Sequence, residues 1–296
     1  MNDRVDSPSV HGARSDQGSY KPSPRPTFAG PALITRASAT RHVWGDQESG
    51  EVADWIYVSS GLIHALVFGL EVGGEFRHSP DHRTIFGADE LLYVLEGVMA
   101  LANPATGEVQ RVETGETIFF RRDTWHHAFA HGGRPLRVLE LFAPPPATGS
   151  SGAYARTQPY LEESRYSDDS LLGSLPARDH RGSTLQRLTR GDAVWRRDLG
   201  ALVGLLVSTD HLTAGLVEVD PGMRAAAHAH DGDEVIYVTH ARMTVRAWVG
   251  EEVSVFELRP DDACYLPRGC RHEYRNYGSE TARAVFGVAP RYPAGL

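Results

Sequence analysis

Cysteine is nearly absent: the 296 residues include two, Cys264 and Cys270, which excludes a disulfide framework as the source of stability. No apolar run reaches the roughly 18 residues of a membrane span, and the N-terminus lacks the hydrophobic segment of a secretory signal. A cytoplasmic location and no membrane partner are therefore expected. An excess of positive charge is missing as well, since 30 Lys and Arg face 38 Asp and Glu for a formal net charge of -8. That balance, without any helix-turn-helix segment, argues against nucleic acid as a partner and for a small-molecule substrate. What is present, 41% hydrophobic and 23% charged residues, is the composition of a globular protein long enough for two domains with separate cores.

Helical periodicity is also scarce. Short runs rich in Val, Ile, Leu, Tyr and Phe recur instead, among them Leu62 to Leu70, Leu91 to Leu101, Thr117 to Phe120, Leu136 to Phe142, Thr244 to Trp248 and Ala284 to Val288. Spaced by turn signals about every ten residues, they predict an all-β barrel or jelly roll. The pattern occurs twice. Ile56 through Gly74 resembles Leu205 through Gly222, and Glu90-Leu-Leu-Tyr-Val-Leu-Glu-Gly97 mirrors Glu234-Val-Ile-Tyr-Val-Thr-His-Ala241, so the chain carries two copies of one domain. Residues 1–30, rich in Ser, Pro, Asp, Arg and Gly, read as a mobile tail or an arm that orders only across a neighbouring subunit. The first barrel is assigned to 31–142, a linker to 143–182 and the second barrel to 183–296. Within the linker, Tyr154, Tyr160, Leu161 and Tyr166 suggest segments that pack down on a surface.

The second copy concentrates the chemistry. His228, His230 and Glu234 have even spacing, which on one extended strand projects all three from the same face. Imidazole and carboxylate together suit Fe(II), Mn(II), Zn, Ni or Cu. The wider patterns are Gly222-x5-His228-x-His230-x3-Glu234 and Pro267-x-Gly269-x2-His272-x3-Asn276. They resemble the paired signature motifs of the cupin superfamily, with Ala241 and Asp261 standing where each motif has a glycine. The resemblance implies tandem double-stranded β-helix barrels and one divalent metal held by His228, His230, Glu234 and His272. It also implies a homodimer, by analogy with two-barrel cupins.

The first copy keeps part of the pattern. Glu90 stands seven residues ahead of Gly97, and Gly115-x5-Arg121-x-Asp123-x2-His126 retains a histidine. Thr84 and Phe86 occupy the other two ligand positions, and neither is a sensible ligand for a divalent ion of this kind. This barrel is expected to have lost its metal and to serve as scaffold, dimer surface or effector pocket. The alternative is a rebuilt set of His82, Glu90 and His126, with His82 swinging in from the long loop after Gly74.

An open cupin metal supports several chemistries. With Fe(II), the favoured ion, the expectation is a dioxygenase acting on a small oxygenated or aromatic metabolite. With Mn, Zn or Ni the alternatives are a lyase, isomerase, decarboxylase or hydrolase, and a third reading is a binding protein without turnover. Tyr274 shares parity with His272 and is a candidate hydrogen-bond donor or acid at the metal. Arg246 is a candidate clamp for a substrate carboxylate. His64, His127, His131 and His240 lack ligand spacing, and Trp195 and Trp248 read as core or rim aromatics.

Overall fold

A computed structural model describes residues 24–46, 50–77, 86–104, 106–122, 124–145, 184–290 and 292. The strands are β1 (Ala32–Ile34), β2 (Thr40–Asp46), β3 (Gly50–Ser59), β4 (His64–Leu70), β5 (Glu75–Phe76), β6 (Asp89–Glu96), β7 (Val98–Asn103), β8 (Glu108–Glu113), β9 (Thr117–Phe120), β10 (His127–His131) and β11 (Leu136–Ala143). After the linker come β12 (Gln186–Leu188), β13 (Val194–Asp198), β14 (Ala201–Ser208), β15 (Thr213–Val219), β16 (Asp233–His240), β17 (Met243–Val249), β18 (Glu252–Leu258), β19 (Ala263–Leu266), β20 (Arg271–Arg275) and β21 (Ala282–Ala289). The architecture is all-β, as the run spacing predicts. The first barrel joins a sheet ordered β12-β9-β6-β11-β4-β3-β2 to one ordered β5-β10-β7-β8. The second joins β1-β19-β16-β21-β15-β14-β13 to β18-β17-β20.

Two short strands cross the sequence boundaries. Ala32–Ile34, placed by the repeat in the first barrel, pairs antiparallel with β19 of the second. Gln186–Leu188, placed in the second, pairs with β9 of the first. Each covers an edge that would otherwise present unpaired backbone groups, and three-residue strands carry too little pattern to reveal their partner. The described end of the N-terminal tail is ordered against its own chain, correcting the expectation of a mobile or intersubunit arm for residues 24–30. Arg25 donates to Ser59 Oγ and to the Ser60 carbonyl at 3.2 and 3.1 Å, while the Phe28 ring lies 6.1 Å from that of Tyr265. The linker reading beyond residue 145, with its tyrosines, lies outside the described residues, as does the tail before residue 24.

Alternation divides the central strands between two cores. On β6, Leu92 and Val94 fill the first barrel's interior, whereas Leu91 joins a cluster shared by the barrels. In that shared layer Tyr57 and Tyr237 meet edge to face, with centroids 5.4 Å apart. Both hydroxyls donate to Asp261, Tyr237 to Oδ1 at 2.8 Å and Tyr57 to the carbonyl at 2.7 Å, and Arg137 of the first barrel reaches Oδ1 at 3.0 Å. Burial works to raise the Asp261 pKa, but Arg137 and Tyr237 outweigh it and hold the carboxyl below its usual value.

Asp261 and Ala241 are the residues that replace motif glycines, and both keep left-handed backbones, with φ of 73° and 58°. Their counterparts in the first barrel, Gly115 and Gly97, have φ of 87° and 86°. Turn geometry is thus conserved between the copies while the glycine is not. At Asp261 the side chain's contacts across the barrel interface accompany the strain, whereas the Ala241 methyl group offers no such contact.

Ala241→Gly is expected to stabilise the protein by about 1 kcal/mol in denaturant titrations. Gly97→Ala, whose Cβ would lie 2.4 Å from the Pro135 carbonyl oxygen, should destabilise it by about 3 kcal/mol. Equal effects of opposite chemistry at the two turns would contradict this account. A pH effect follows from His64, which is buried against Phe142 and whose pKa is lowered to about 3 by burial, with Arg25 adding to the shift. The unfolded chain takes up this proton near pH 6.5 and the folded one near pH 3, so the stability contribution is present above pH 6.5 and is lost as pH falls through that window. His64→Phe should therefore flatten the acid side of the stability profile, by at most about 1.4 kcal/mol per pH unit.

Candidate metal centre

The side chains of His228, His230, Glu234 and His272 converge in the second barrel, each offering a ligand atom within 4.8 Å of the others. They do not share one strand, as even spacing suggests. His228 forms an antiparallel bridge with His272, its N–H donating to the His272 carbonyl at 2.9 Å and its carbonyl accepting from the His272 N–H at 2.8 Å. The chain then bends at Asp231–Gly232, and Glu234 enters β16 in the opposite sheet. Gly232 is needed at this bend, because a Cβ there would lie 2.2 Å from the Ala289 carbonyl oxygen. Convergence across two sheets replaces the same-face arrangement on a single strand.

Backbone acceptors set two of the rings. His228 Nδ1 lies 2.8 Å from the Ala226 carbonyl and His272 Nδ1 2.9 Å from the Cys270 carbonyl. Each Nδ1 therefore carries the proton, leaving the Nε2 lone pair directed at the cluster. Glu234 Oε2 lies 2.9 Å from His272 Nε2 and 3.1 Å from His230 Nε2. It nevertheless has no properly formed hydrogen bond, nor has either ring nitrogen of His230. Buried polar atoms left in this state are costly, and a divalent ion held by these residues would satisfy them. The donor set fits such an ion, with three imidazoles and one carboxylate of the borderline type that transition metals favour.

Electrostatics agree with the geometry. Burial opposes ionisation of Glu234, but His272 and His230 reverse the effect and hold its pKa well below the usual range. Burial and the nearby His272 lower the pKa of His228. For His272, burial lowers the pKa but Glu234 outweighs it and the net shift is upward. His228 is half-buried while the other three are buried, so the cluster opens to solvent on the His228 side.

Tyr274 faces this interior, as its parity predicts. Its hydroxyl donates to Glu234 Oε1 and lies 3.1 Å from His272 Nε2. Burial, then the adjacent Glu234, raise its pKa well above 10, so the phenol keeps its proton. Arg246 does not belong to the site. Its cross-strand partner is Glu273, which it contacts at 2.9 Å, while the next pair on the same two strands is Ala247 with His272. Alternation therefore puts Arg246 on the outer face, where its guanidinium also stacks over Trp248 at 5.3 Å. Asn276 likewise has a structural role, donating to the carbonyls of Val219 and Glu280, both at 2.7 Å. Both cysteines are buried thiols.

Sequence reasoning missed Tyr292, whose ring lies 4.4 Å from His230 and 5.7 Å from Phe286. Nothing in its local pattern marks it; the return of β21 beside β16 at Ala289 and Asp233 brings Tyr292 to the cluster. Glu140 was missed as well. In the first barrel, Glu90, His126 and Glu140 form a second buried group with ligand atoms within 4.8 Å of one another. His82 and Thr84 lie outside the described residues, and Phe86 packs against His126 at 5.9 Å. Burial, followed by the neighbouring Glu140, raises the Glu90 pKa well above the usual carboxylate range. Burial and Asp54 bring Glu140 up to about 8, while burial takes His126 down to about 4.

Known proteins share both fold and sequence with the chain. A family profile described as a cupin domain matches residues 66–142 and 215–288, together just over half of the chain. "Polyketide synthase CurC" of Streptomyces cyaneus is 36% identical over 80 residues, covering 27% of this chain and 49% of that protein, so only about half of that relative's length is spanned. "Tetracenomycin polyketide synthase protein TcmJ" of Streptomyces glaucescens is 33% identical over 119 residues, or 40% and 68% of the two chains. Among solved structures, Bacillus subtilis oxalate decarboxylase, a protein with Mn(II) centres, superposes with a TM-score of 0.63 at 14% identity over 93% of this chain and 80% of that one.

Tyr274→Phe deletes the one hydroxyl donor to Glu234 Oε1 and leaves a buried carboxylate oxygen short of a partner. Chelator-treated protein carrying this substitution is expected to lose about 1.5 to 3 kcal/mol of unfolding free energy. Unchanged stability would show that the hydrogen bond contributes nothing to holding the carboxylate.

Proposed function

The chain belongs to the cupin family, with two cupin domains in tandem, and from that premise we propose that it is a metal-dependent enzyme with its active centre in the second barrel. His228, His230, Glu234 and His272 would hold one divalent transition metal, Fe(II) foremost. The observation that carries this reading is the set of orphaned donor atoms, Glu234 Oε2 and the His230 nitrogens, buried at the focus of two fixed imidazoles. When bound, the ion supplies open coordination positions for Lewis-acid or oxygen chemistry.

The reaction class proposed is an oxygen-dependent cleavage, as by a dioxygenase, of a small oxygenated aromatic compound. Polyketide-derived phenols fit this class, and the names of the two Streptomyces relatives, both polyketide synthase proteins, support the choice. The chain's own residues have distinct tasks. Tyr274 keeps one carboxylate oxygen occupied, so that Glu234 presents the other to the cluster. The Ala226 and Cys270 carbonyls fix the tautomers of His228 and His272. Tyr292 covers His230, which leaves the half-buried His228 side for substrate entry.

Elemental analysis of protein purified without added metal is expected to find an ion that is lost in His230→Ala. An oxygen electrode should then record consumption with phenolic or enolic substrates of the polyketide type. Turnover at an undiminished rate under strict anaerobiosis would replace the oxygenase reading with a non-oxidative lyase, isomerase or hydrolase. A protein that takes up no iron, manganese or zinc through these four residues would overturn the proposal itself. Tyr274→Phe should weaken metal affinity by roughly 10- to 100-fold, the usual effect of losing a group that orients a ligand.

A further inference from the structure

The first barrel's interior is lined by apolar side chains, yet it keeps Glu90, His126 and Glu140 at 1%, 1% and 7% exposure. The three come from different parts of the barrel: Glu90 from β6, His126 from the residue immediately before β10, and Glu140 from β11. Their ligand atoms lie within 4.8 Å of one another. Among the described residues no lysine or arginine pairs with either glutamate; the ion-pair contact of Glu90 is His126 Nε2, 3.7 Å from its Oε2. That oxygen is buried and has no hydrogen-bond partner, and it points to the space between the three groups.

Packing does not require this arrangement. Glu90 pairs across the sheet with Phe142, as Glu234 pairs with Val288. Counting back two residues on β11 and β21, the place of Glu140 is taken in the second barrel by Phe286, buried at 1% exposure. The same fold thus accepts an apolar ring at this position, whereas Glu140 buries a carboxylate there whose side-chain partner is Glu90, and Glu90 Oε2 is still left without a hydrogen bond.

We propose that Glu90, Glu140 and His126 form a second divalent-cation site, built from one imidazole and two carboxylates in place of the three imidazoles and one carboxylate of the other barrel. Two carboxylates neutralise the ion's double charge, which suits a site walled by Phe76, Phe86 and Phe120 around His126. One imidazole with two carboxylates is a donor set suited to Mn(II), Fe(II) or Zn(II). Phe86 stands where a histidine ligand would be, and Glu140, reaching in from β11, supplies the missing donor. The site is independent of the second barrel and of any activity there.

The test is metal content of the chelator-treated full chain reloaded with MnCl2 or ZnCl2 and desalted. Wild type is expected to hold two equivalents, Glu140→Gln one, and the double variant His228→Ala with His272→Ala one. Wild-type content unchanged by Glu140→Gln, or a double variant that binds nothing, overturns the first-barrel site. A single wild-type ion that survives the double variant and disappears with Glu140→Gln supports it and overturns the second-barrel reading instead. Should Glu140→Gln fail to fold, Glu140→Phe installs the residue the second barrel already tolerates. Mn(II) titration of the double variant, followed by electron paramagnetic resonance and thermal shift, reads the site with Glu140 in place. Saturation at one equivalent supports it, and no saturable binding counts against it.

Discussion

Two backbone hydrogen bonds, exchanged between His228 and His272, hold the second barrel's chemistry in place. Together with the Arg224–Arg275 bridge further along, they join the segment before β16 to β20, and so present imidazoles from two distant parts of the chain side by side, with ring centroids 4.3 Å apart. Everything else at the centre is arranged around that junction. The bend at Gly232 carries the chain over Ala289 into the facing sheet, where Glu234 and the end of β21 approach from the other side. Without the bridge the even spacing of 228, 230 and 234 has no geometric meaning, because the three residues are not on a common strand.

Much of this was legible in the sequence, for identifiable reasons. Strand runs are short and strongly patterned, so the all-β architecture and the duplication emerge from periodicity alone. The ligand set is legible because the spacing around Gly222, His228, Pro267 and His272 resembles a superfamily signature. Parity placed Tyr274 correctly, since residues 272 and 274 do lie on one strand. Parity does not fix which sheet face a residue takes unless the register is known, and Arg246 therefore turned outward toward Glu273. Tyr292 and Glu140 depend on returns of the chain that no local pattern encodes.

The two barrels show how a duplicated fold diverges inside a constant frame. Backbone requirements persist most firmly: the four turns at Gly97, Gly115, Ala241 and Asp261 all have positive φ, although glycine occupies only two of them. Interior chemistry is freer. Between the barrels Glu140 and Phe286 trade a carboxylate for an aromatic ring, and the polar cluster shifts sideways by one strand, from the Glu234 region to the space between Glu90 and Glu140. Contacts at the interface follow another rule, with Asp261 tied to both barrels through Arg137, Tyr57 and Tyr237.

The exchange of β1 and β12 has a consequence for how the halves relate. Each barrel's sheet is finished by a strand whose covalent attachment leads to the other, so severing the connection between residues 145 and 184 would not yield two self-sufficient modules. A fragment beginning after the linker lacks the edge cover contributed by Ala32–Ile34, and a fragment ending before it lacks that of Gln186–Leu188. The halves are thus mutual completions, each lending the other the last border of its sheet.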